Sequence, residues 1–376
     1  MLPLTRGALD LLSGDAQTFL AKVWASRVHL HRTDPADLVG LLSLDDADHL
    51  LTSTAIRTPA IRMAQDGAVL PESSYTRGAT LAGKPVTGLV DARKALALFD
   101  GGATVVFQGL QRYWPPLTRL IAELELELGH PCQANAYLTP PGAQGFAVHS
   151  DSHDVFVFQT AGSKLWEIHG ADGPEDVLLE PGLSMYLPTG TPHAARAQDT
   201  VSLHVTLGIN QLTWRGLVER TVKPVLADVS DDHLPAGYLD DPSLLADGLA
   251  ERLEELAAAV RRVDAPAAVE SEIRRFLTSR PPRLGGGLHD VLGREAIEAT
   301  TRLRRRPGHP CVLLDRGEQV EVLLGDRTMT VPARIRPALD EVRARGELTP
   351  ADLPLDPESN LVLCRRLVRE GLLEIA

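Results

Sequence analysis

The pair His149-x-Asp151 constrains this chain more than any other feature of its sequence. On an extended segment successive side chains point to opposite faces, so residues two apart share a face. An imidazole and a carboxylate are thereby set side by side. A second histidine, His193, follows 42 residues after Asp151, behind the turn-rich run Pro188-Thr189-Gly190-Thr191-Pro192. Two neutral nitrogens and one carboxylate, with the rest of the coordination sphere open, suit ferrous iron that must take up both a cosubstrate and dioxygen. The set points to an oxygenase with His149, Asp151 and His193 as metal ligands. An H-x-D pair alone is common by chance, so the surroundings have to carry the rest.

Those surroundings read as short strands separated by turns. Between Cys132 and Ile209 the strand candidates are 133–138, 145–149, 154–159, 164–169, 176–179, 184–187, 193–197 and 202–209. Eight short strands in so few residues predict a double-stranded β-helix, the jelly roll of cupins. His149 closes one strand, and residues 181–193 supply another that leads through a Gly/Pro turn to the second histidine. This order fits an iron site at the mouth of a jelly roll.

The flanking regions differ. Residues 1–130 mix short helices with a β-rich run at 103–107. They end in a helix over 115–128 whose Leu117, Leu120, Ile121, Leu124 and Leu128 share a face, stopped by Gly129. After Trp214 the strands cease, and helices are predicted over 216–227, 242–263 and 267–278. Residues 281–287 (PPRLGGG) are a breaker run. Strands at 312–314, 320–324 and 328–331 and helices at 332–345 and 358–370 then predict a small winged helix. The fold class is therefore α+β. A catalytic domain spans 1–214 with its jelly-roll core at about 132–210, a helical region spans 215–284, and a linker with a winged-helix domain spans 285–376.

Composition sets outer bounds. An apolar fraction of 44% and a charged fraction of 23% suit a folded protein. A net charge of −12 disfavours general nucleic-acid affinity, which needs basic surface. The acidity is uneven: residues 301–376 hold 13 basic and 12 acidic side chains. That balance is too weak for a DNA-reading winged helix, so no duplex-DNA binding is expected. The basic run 302–306 reads as a solvated linker face. Three widely spaced cysteines, Cys132, Cys311 and Cys364, give neither a zinc knuckle nor a disulfide framework. With no basic-then-apolar leader and no long apolar run, neither a signal peptide nor a membrane span is expected, and the cytoplasm is the expected compartment.

Further polar residues cluster around the triad. Lys164 shares a strand face with Trp166. If that face is interior, the ammonium needs an anion, and a dicarboxylic cosubstrate offers one; the alternative is a surface lysine on an edge strand. Asn135 and Tyr137, two apart, can present polar groups to one cavity, though a core tyrosine with a satisfied hydroxyl is the commoner case. His153 continues the alternation from His149 and Asp151, either as a fourth ligand or as a substrate-facing side chain at the rim. The rim is preferred, because Asp151 already completes a facial triad. His204, flanked at period two by Ser202 and Thr206, reads as a core or supporting residue.

The stretch NAYLTPPGAQGFAVHSDSHDVFVFQTAGSKLWEIH, 135–169, resembles the metal-binding core of the JmjC-type ribosomal oxygenases, also called the cupin-4 family. The N-x-Y, T-P, Q-G-F, H-x-D, D-V-F, Q-x-x-G and K-x-W elements occur in order, followed by Y-L-P…P-H and S-x-H-V-T. The resemblance implies a protein hydroxylase dependent on Fe(II), 2-oxoglutarate and O2. His149, Asp151 and His193 match its iron ligands. Lys164 matches the partner of the distal 2-oxoglutarate carboxylate, and Asn135 and Tyr137 match residues lining the cosubstrate pocket. It further implies a homodimer formed through the helical region. The substrate would be a side chain of a protein or peptide, a ribosomal protein or a natural-product precursor. Two other classes stay open at this point: a metal-dependent cupin enzyme using His149, His153 and His193 without 2-oxoglutarate, and a non-catalytic binding module.

Overall fold

The computed structural model describes residues 7–143, 148–170, 173–196 and 199–376. Before the jelly roll come α1 (Ala8–Ser13), α2 (Ala16–Lys22), β1 (His29–Arg32), α3 (Pro35–Val39), α4 (Leu44–Thr52), β2 (Ile61–Gln65) and β3 (Ala68–Val69). A hairpin of β4 (Thr76–Leu81) and β5 (Lys84–Val90), then α5 (Ala92–Asp100), β6 (Thr104–Phe107) and α6 (Pro115–Leu128) follow. The barrel strands are β7 (Cys132–Thr139), β8 (Asp154–Gly162), β9 (Lys164–Gly170), β10 (Gly173–Leu179), β11 (Leu183–Leu187), β12 (His193–Arg196) and β13 (Ser202–Ile209). Of the expected strand 145–149 and the Q-G-F element, residues 144–147 lie outside the described residues.

Two sheets face one another. The larger has the order β1-β11-β8-β13-β7-β6-β2-β3 and the smaller β10-β9-β12. All the pairings are antiparallel, and sequence neighbours are repeatedly separated by crossovers, as a jelly roll requires. β8 is buried along seven successive residues, as a central strand covered on both faces must be, whereas β9 alternates strictly. Between them Gly162 turns the chain at φ +62°. A Cβ there would strike the Val201 carbonyl oxygen at 1.7 Å, so only glycine fits the turn that delivers Lys164.

α6 covers the outside of the larger sheet. Leu117, Leu120, Ile121 and Leu124 are fully buried in one apolar cluster with Ala134 and Ala136 of β7, and Gly129 ends the helix at φ +71°. The sequence left out β1, β2, the β4–β5 hairpin and α5. β1 and β2 matter most, because they lengthen the larger sheet at both edges.

Beyond the barrel run α7 (Trp214–Leu226), α8 (Ser243–Arg261) and α9 (Ala265–Thr278). Among their described residues only Leu277 is buried. A C-terminal unit then has α10 (Gly287–Gly293), β14 (Leu303–Arg305), β15 (Val312–Arg316), β16 (Gln319–Leu323), β17 (Thr328–Pro332), α11 (Arg336–Ala344), β18 (Glu347–Leu348), α12 (Pro357–Arg369) and β19 (Leu373–Ile375). Its apolar cluster, from Ile297 to Leu373, is separate from that of the barrel.

One expectation fails here. The run 302–306 is no solvated linker face: Leu303–Arg305 is the middle strand of the sheet β18-β14-β19. Arg306 is buried against Asp290, and Arg304 pairs with Glu374 at 2.5 Å. Leu303, fully buried, anchors the strand, so the arginines flank a core position. The segment that leads into this unit is tied to α6 through Glu125, which accepts from Arg280 at 2.8 Å and Arg283 at 2.9 Å.

Candidate metal centre and its cavity

The triad is assembled by backbone pairing. His149 and His193 form an antiparallel bridge in which each N–H donates to the other's carbonyl, at 3.0 and 2.8 Å. Their rings lie 4.5 Å apart. Asp151, two residues on, brings Oδ2 to 3.8 Å from His193 Nε2. One donor atom from each of His149, Asp151 and His193 falls within 4.8 Å of the others, the one such His/Cys/Asp/Glu group among the described residues. His193 Nδ1 lies 2.9 Å from the Thr191 carbonyl. A carbonyl only accepts, so Nδ1 carries the proton and Nε2 keeps its lone pair for a metal. Burial lowers the His193 pKa, outweighing the Thr191 hydrogen bond that raises it, and this favours the neutral ligand form.

The turn before His193 is held from below. Buried Asp154 accepts from Tyr186 Oη at 2.5 Å and from Thr189 N and Oγ1 at 2.8 and 2.7 Å. Gly190 N donates to the Asp151 carbonyl at 2.9 Å, which ties the two ligand segments together.

Behind the triad lies a cavity of about 280 Å³. Lys164 and Trp166 both line it, each 5% exposed, so the alternation on β9 does turn the lysine inward. Lys164 Nζ donates to Thr139 Oγ1 at 3.1 Å. Among the described residues no carboxylate lies within ion-pair distance of it, and burial pushes its pKa down to about 8. His204, from β13 of the larger sheet, is buried on the facing wall, stacked on Tyr137 at 5.0 Å. Burial, then the nearby Lys164 charge, holds its pKa well below the usual histidine range. Burial also raises the Tyr137 pKa. Two further donors of the lining, Trp166 Nε1 and Arg62 Nε, are buried without a hydrogen-bond partner among the described residues.

These features fit an iron ion and a small dicarboxylate. The triad offers two neutral nitrogens and one carboxylate, and the cavity offers an unneutralised ammonium with orphaned donors, all of which call for acceptor oxygens.

The other sequence candidates separate. Tyr137 and His204 line the cavity. Asn135 is not among its lining residues; its Oδ1 accepts from Gly109 N at 3.0 Å, because β6 ends beside it and leaves that amide to be capped. Ser202 is buried and accepts from Gln159 Nε2 at 3.0 Å, also away from the cavity. His153 is outside the triad: its ring packs over Gly208, where a Cβ would come within 2.7 Å of Nε2. Gly208 follows Thr206 and His204 at period two on β13, and neither it nor His153 is among the residues that line the cavity. Arg62, Thr104, Thr139 and Thr206 line the cavity and were not singled out from sequence.

Residues 111–217 match the model of the JmjC domain. Ribosomal oxygenase 1 of Homo sapiens is 30% identical over 252 residues, 59% of this chain and 38% of that protein. The bifunctional lysine-specific demethylase and histidyl-hydroxylase NO66 of Branchiostoma floridae is 39% identical over 150 residues, 38% of this chain and 24% of that protein. The chain thus spans well under half the length of these relatives. The ribosomal oxygenase YcfD of Escherichia coli, solved in complex with cobalt and 2-oxoglutarate, superposes with a TM-score of 0.52 at 20% identity. The match covers 96% of this chain and 98% of that one. It establishes the fold: mixed α and β, of the JmjC type.

A buried, unpaired ammonium destabilises the chain that holds it. Lys164→Met should therefore stabilise the ligand-free protein, by up to about 3 kcal/mol from a displacement of its pKa to about 8. Urea unfolding at pH 7 checks this, and a lower midpoint for the variant would mean the lysine is already neutralised.

Proposed function

We propose that this chain, which carries a JmjC domain and is related to the ribosomal oxygenases, is an Fe(II)- and 2-oxoglutarate-dependent oxygenase that hydroxylates an amino-acid side chain of a protein or peptide. Ribosomal proteins are the first substrates to try. One observation carries the cosubstrate assignment: the buried Lys164 ammonium has no carboxylate at ion-pair distance among the described residues and lies in the same cavity as the His149/Asp151/His193 group. A cupin enzyme without a dicarboxylate leaves that charge unexplained, and its third histidine, His153, is turned onto Gly208. A binding module has no use for the triad.

The residues divide the work. His149, Asp151 and His193 would hold iron, with the His193 tautomer fixed by the Thr191 carbonyl. Lys164, steadied by Thr139, would bind the distal carboxylate through a charge-assisted hydrogen bond. Iron and 2-oxoglutarate, when bound, supply oxidative hydroxylation by dioxygen with succinate and carbon dioxide as co-products. Trp166, Tyr137 and neutral His204 wall the cavity and keep water from the cosubstrate. His153 faces the incoming polypeptide at the rim.

The chain is read as three units, 1–214, 215–284 and 285–376, the last a winged helix that docks protein rather than DNA. The middle unit is a dimerisation region. Leu239 is 84% exposed, Val218, Leu249, Leu253 and Ile273 are exposed as well, and Trp214, which borders the unit at the start of α7, is 83% exposed. A face of this kind calls for a partner, and a two-fold homodimer supplies the same face twice. No helix of the described residues is long and apolar enough to cross a membrane.

Purified protein should form succinate from 2-oxoglutarate with Fe(II) and a peptide from a ribosomal protein. His149→Ala or Asp151→Ala should abolish this while leaving circular dichroism unchanged. Lys164→Met should raise the 2-oxoglutarate KM by at least about 30-fold, as loss of a charged hydrogen bond predicts. Turnover that survives loss of a triad residue would refute the assignment. Light scattering at micromolar concentration should give twice the 40.6 kDa chain mass; a monomer would show that the helices bury their stripes some other way.

A further inference from the structure

A second, larger cavity of about 840 Å³ opens between the barrel and the C-terminal unit. α6 and the start of β7 form one wall; the linker over 281–285 and β14 form the other. Five arginines and two glutamates line it, in a chain whose net charge is −12. The glutamates are already engaged: Glu125 by Arg280 and Arg283, Glu374 by Arg304 and Arg306. Arg112 and Arg119 have no carboxylate at ion-pair distance among the described residues. Arg283 Nη1 is buried without a hydrogen-bond partner among the described residues. The cleft therefore holds more cationic donors than its own acids satisfy, and a carboxylate meets that need with charge-assisted hydrogen bonds.

The cleft also adjoins the metal site. Gln133, which lines it, stands on the same face of β7 as Tyr137, which lines the metal cavity. Four residues of strand separate the two by about 13 Å. Between them lies the rim: a Cβ on Gly208 would meet His153 on one side and Gln133 Cγ, at 3.3 Å, on the other. His153 itself is two residues past the ligand Asp151. Asn210, next along from β13, completes the passage into the cleft. An extended polypeptide threading its target side chain toward the triad can cross this rim and enter the cleft within roughly five residues.

We propose that this cleft is a second docking site for the polypeptide substrate, taking an acidic side chain a few residues from the position that is modified. The proposal rests on the oxygenase assignment for the identity of the occupant, but the binding it describes is measurable without turnover. A carboxylate suits the cleft better than a nucleic acid does, because the acidic remainder of the chain repels a phosphate backbone.

The test is fluorescence anisotropy with the full chain and a fluorescein-labelled Gly-Ser peptide bearing a Glu-Glu pair. The same peptide with Gln-Gln, a labelled polyphosphate and a labelled DNA duplex serve as comparisons. The acidic peptide should bind saturably. Arg112→Glu/Arg119→Glu should weaken it at least about tenfold, equivalent to one ion pair, and Arg112→Lys/Arg119→Lys should retain most of it. Glu-to-Gln replacement in the peptide should cause a comparable loss, which guards against a misfolded variant. His149→Ala should bind the peptide like the wild type, so failure of succinate formation and failure of the cleft stay distinguishable. Equal binding of the Glu and Gln peptides, or undiminished binding to the glutamate double variant, would overturn the proposal. Tighter binding of polyphosphate or duplex would overturn it in favour of a phosphate site.

Discussion

A charged amine sealed inside an apolar barrel is costly, and this fold is arranged around one. Lys164 is almost fully buried, has only the Thr139 hydroxyl as a described hydrogen-bond partner, and sits behind three converging metal-ligand side chains. A sequence free to optimise stability would replace it with an apolar residue of similar volume. The cost is intelligible if the missing anion is a ligand. Loss of water around the ammonium then strengthens the contact when the ligand arrives. The same burial keeps His204 uncharged, so it adds no further cation to Lys164 and Arg62 in the cavity.

The triad follows a different logic, of backbone over side chain. His149 and His193 are placed by reciprocal main-chain hydrogen bonds, and Asp154 and Gly190 fix the turn that lies between the ligand segments. The ligand backbones are therefore in place, and the His193 ring is oriented by the Thr191 carbonyl, before any ion enters, as a metal site with open positions requires. The buried aromatic and threonine wall belongs to separate strands of the larger sheet. Its shape depends on the register Tyr137↔His204 and Val106↔Tyr137 being kept.

Much of this was legible in the sequence because it is local. The period-two spacing of His149 and Asp151, the inward pairing of Lys164 with Trp166, and the apolar face of α6 are each carried by residues within one element. What the sequence left out is carried by distant pairing. Arg62 reaches the cavity only because β2 joins β6 and β6 joins β7, and no pattern within Ile61–Gln65 announces that. Asn135 has the right alternation, yet its carboxamide caps Gly109, a neighbour supplied from outside the strand. The arginine run misled for the same reason: Leu303 between charged neighbours is the central residue of a sheet whose other strands come from Glu347–Leu348 and Leu373–Ile375.

The central claim is that Lys164 awaits a dicarboxylate, and proton uptake tests it most directly. With the Lys164 pKa pushed down by burial to about 8, the amine is mostly neutral at pH 9 and must gain a proton when an anion pairs with it. Calorimetric titration of 2-oxoglutarate into the metal-loaded chain at pH 9, in two buffers of different ionisation enthalpy, should give uptake of about 0.9 proton per site. Uptake should vanish at pH 6, where the amine is already charged, and in Lys164→Met. Binding at pH 9 without proton uptake, or with uptake that Lys164→Met retains, would contradict the account and place the carboxylate elsewhere.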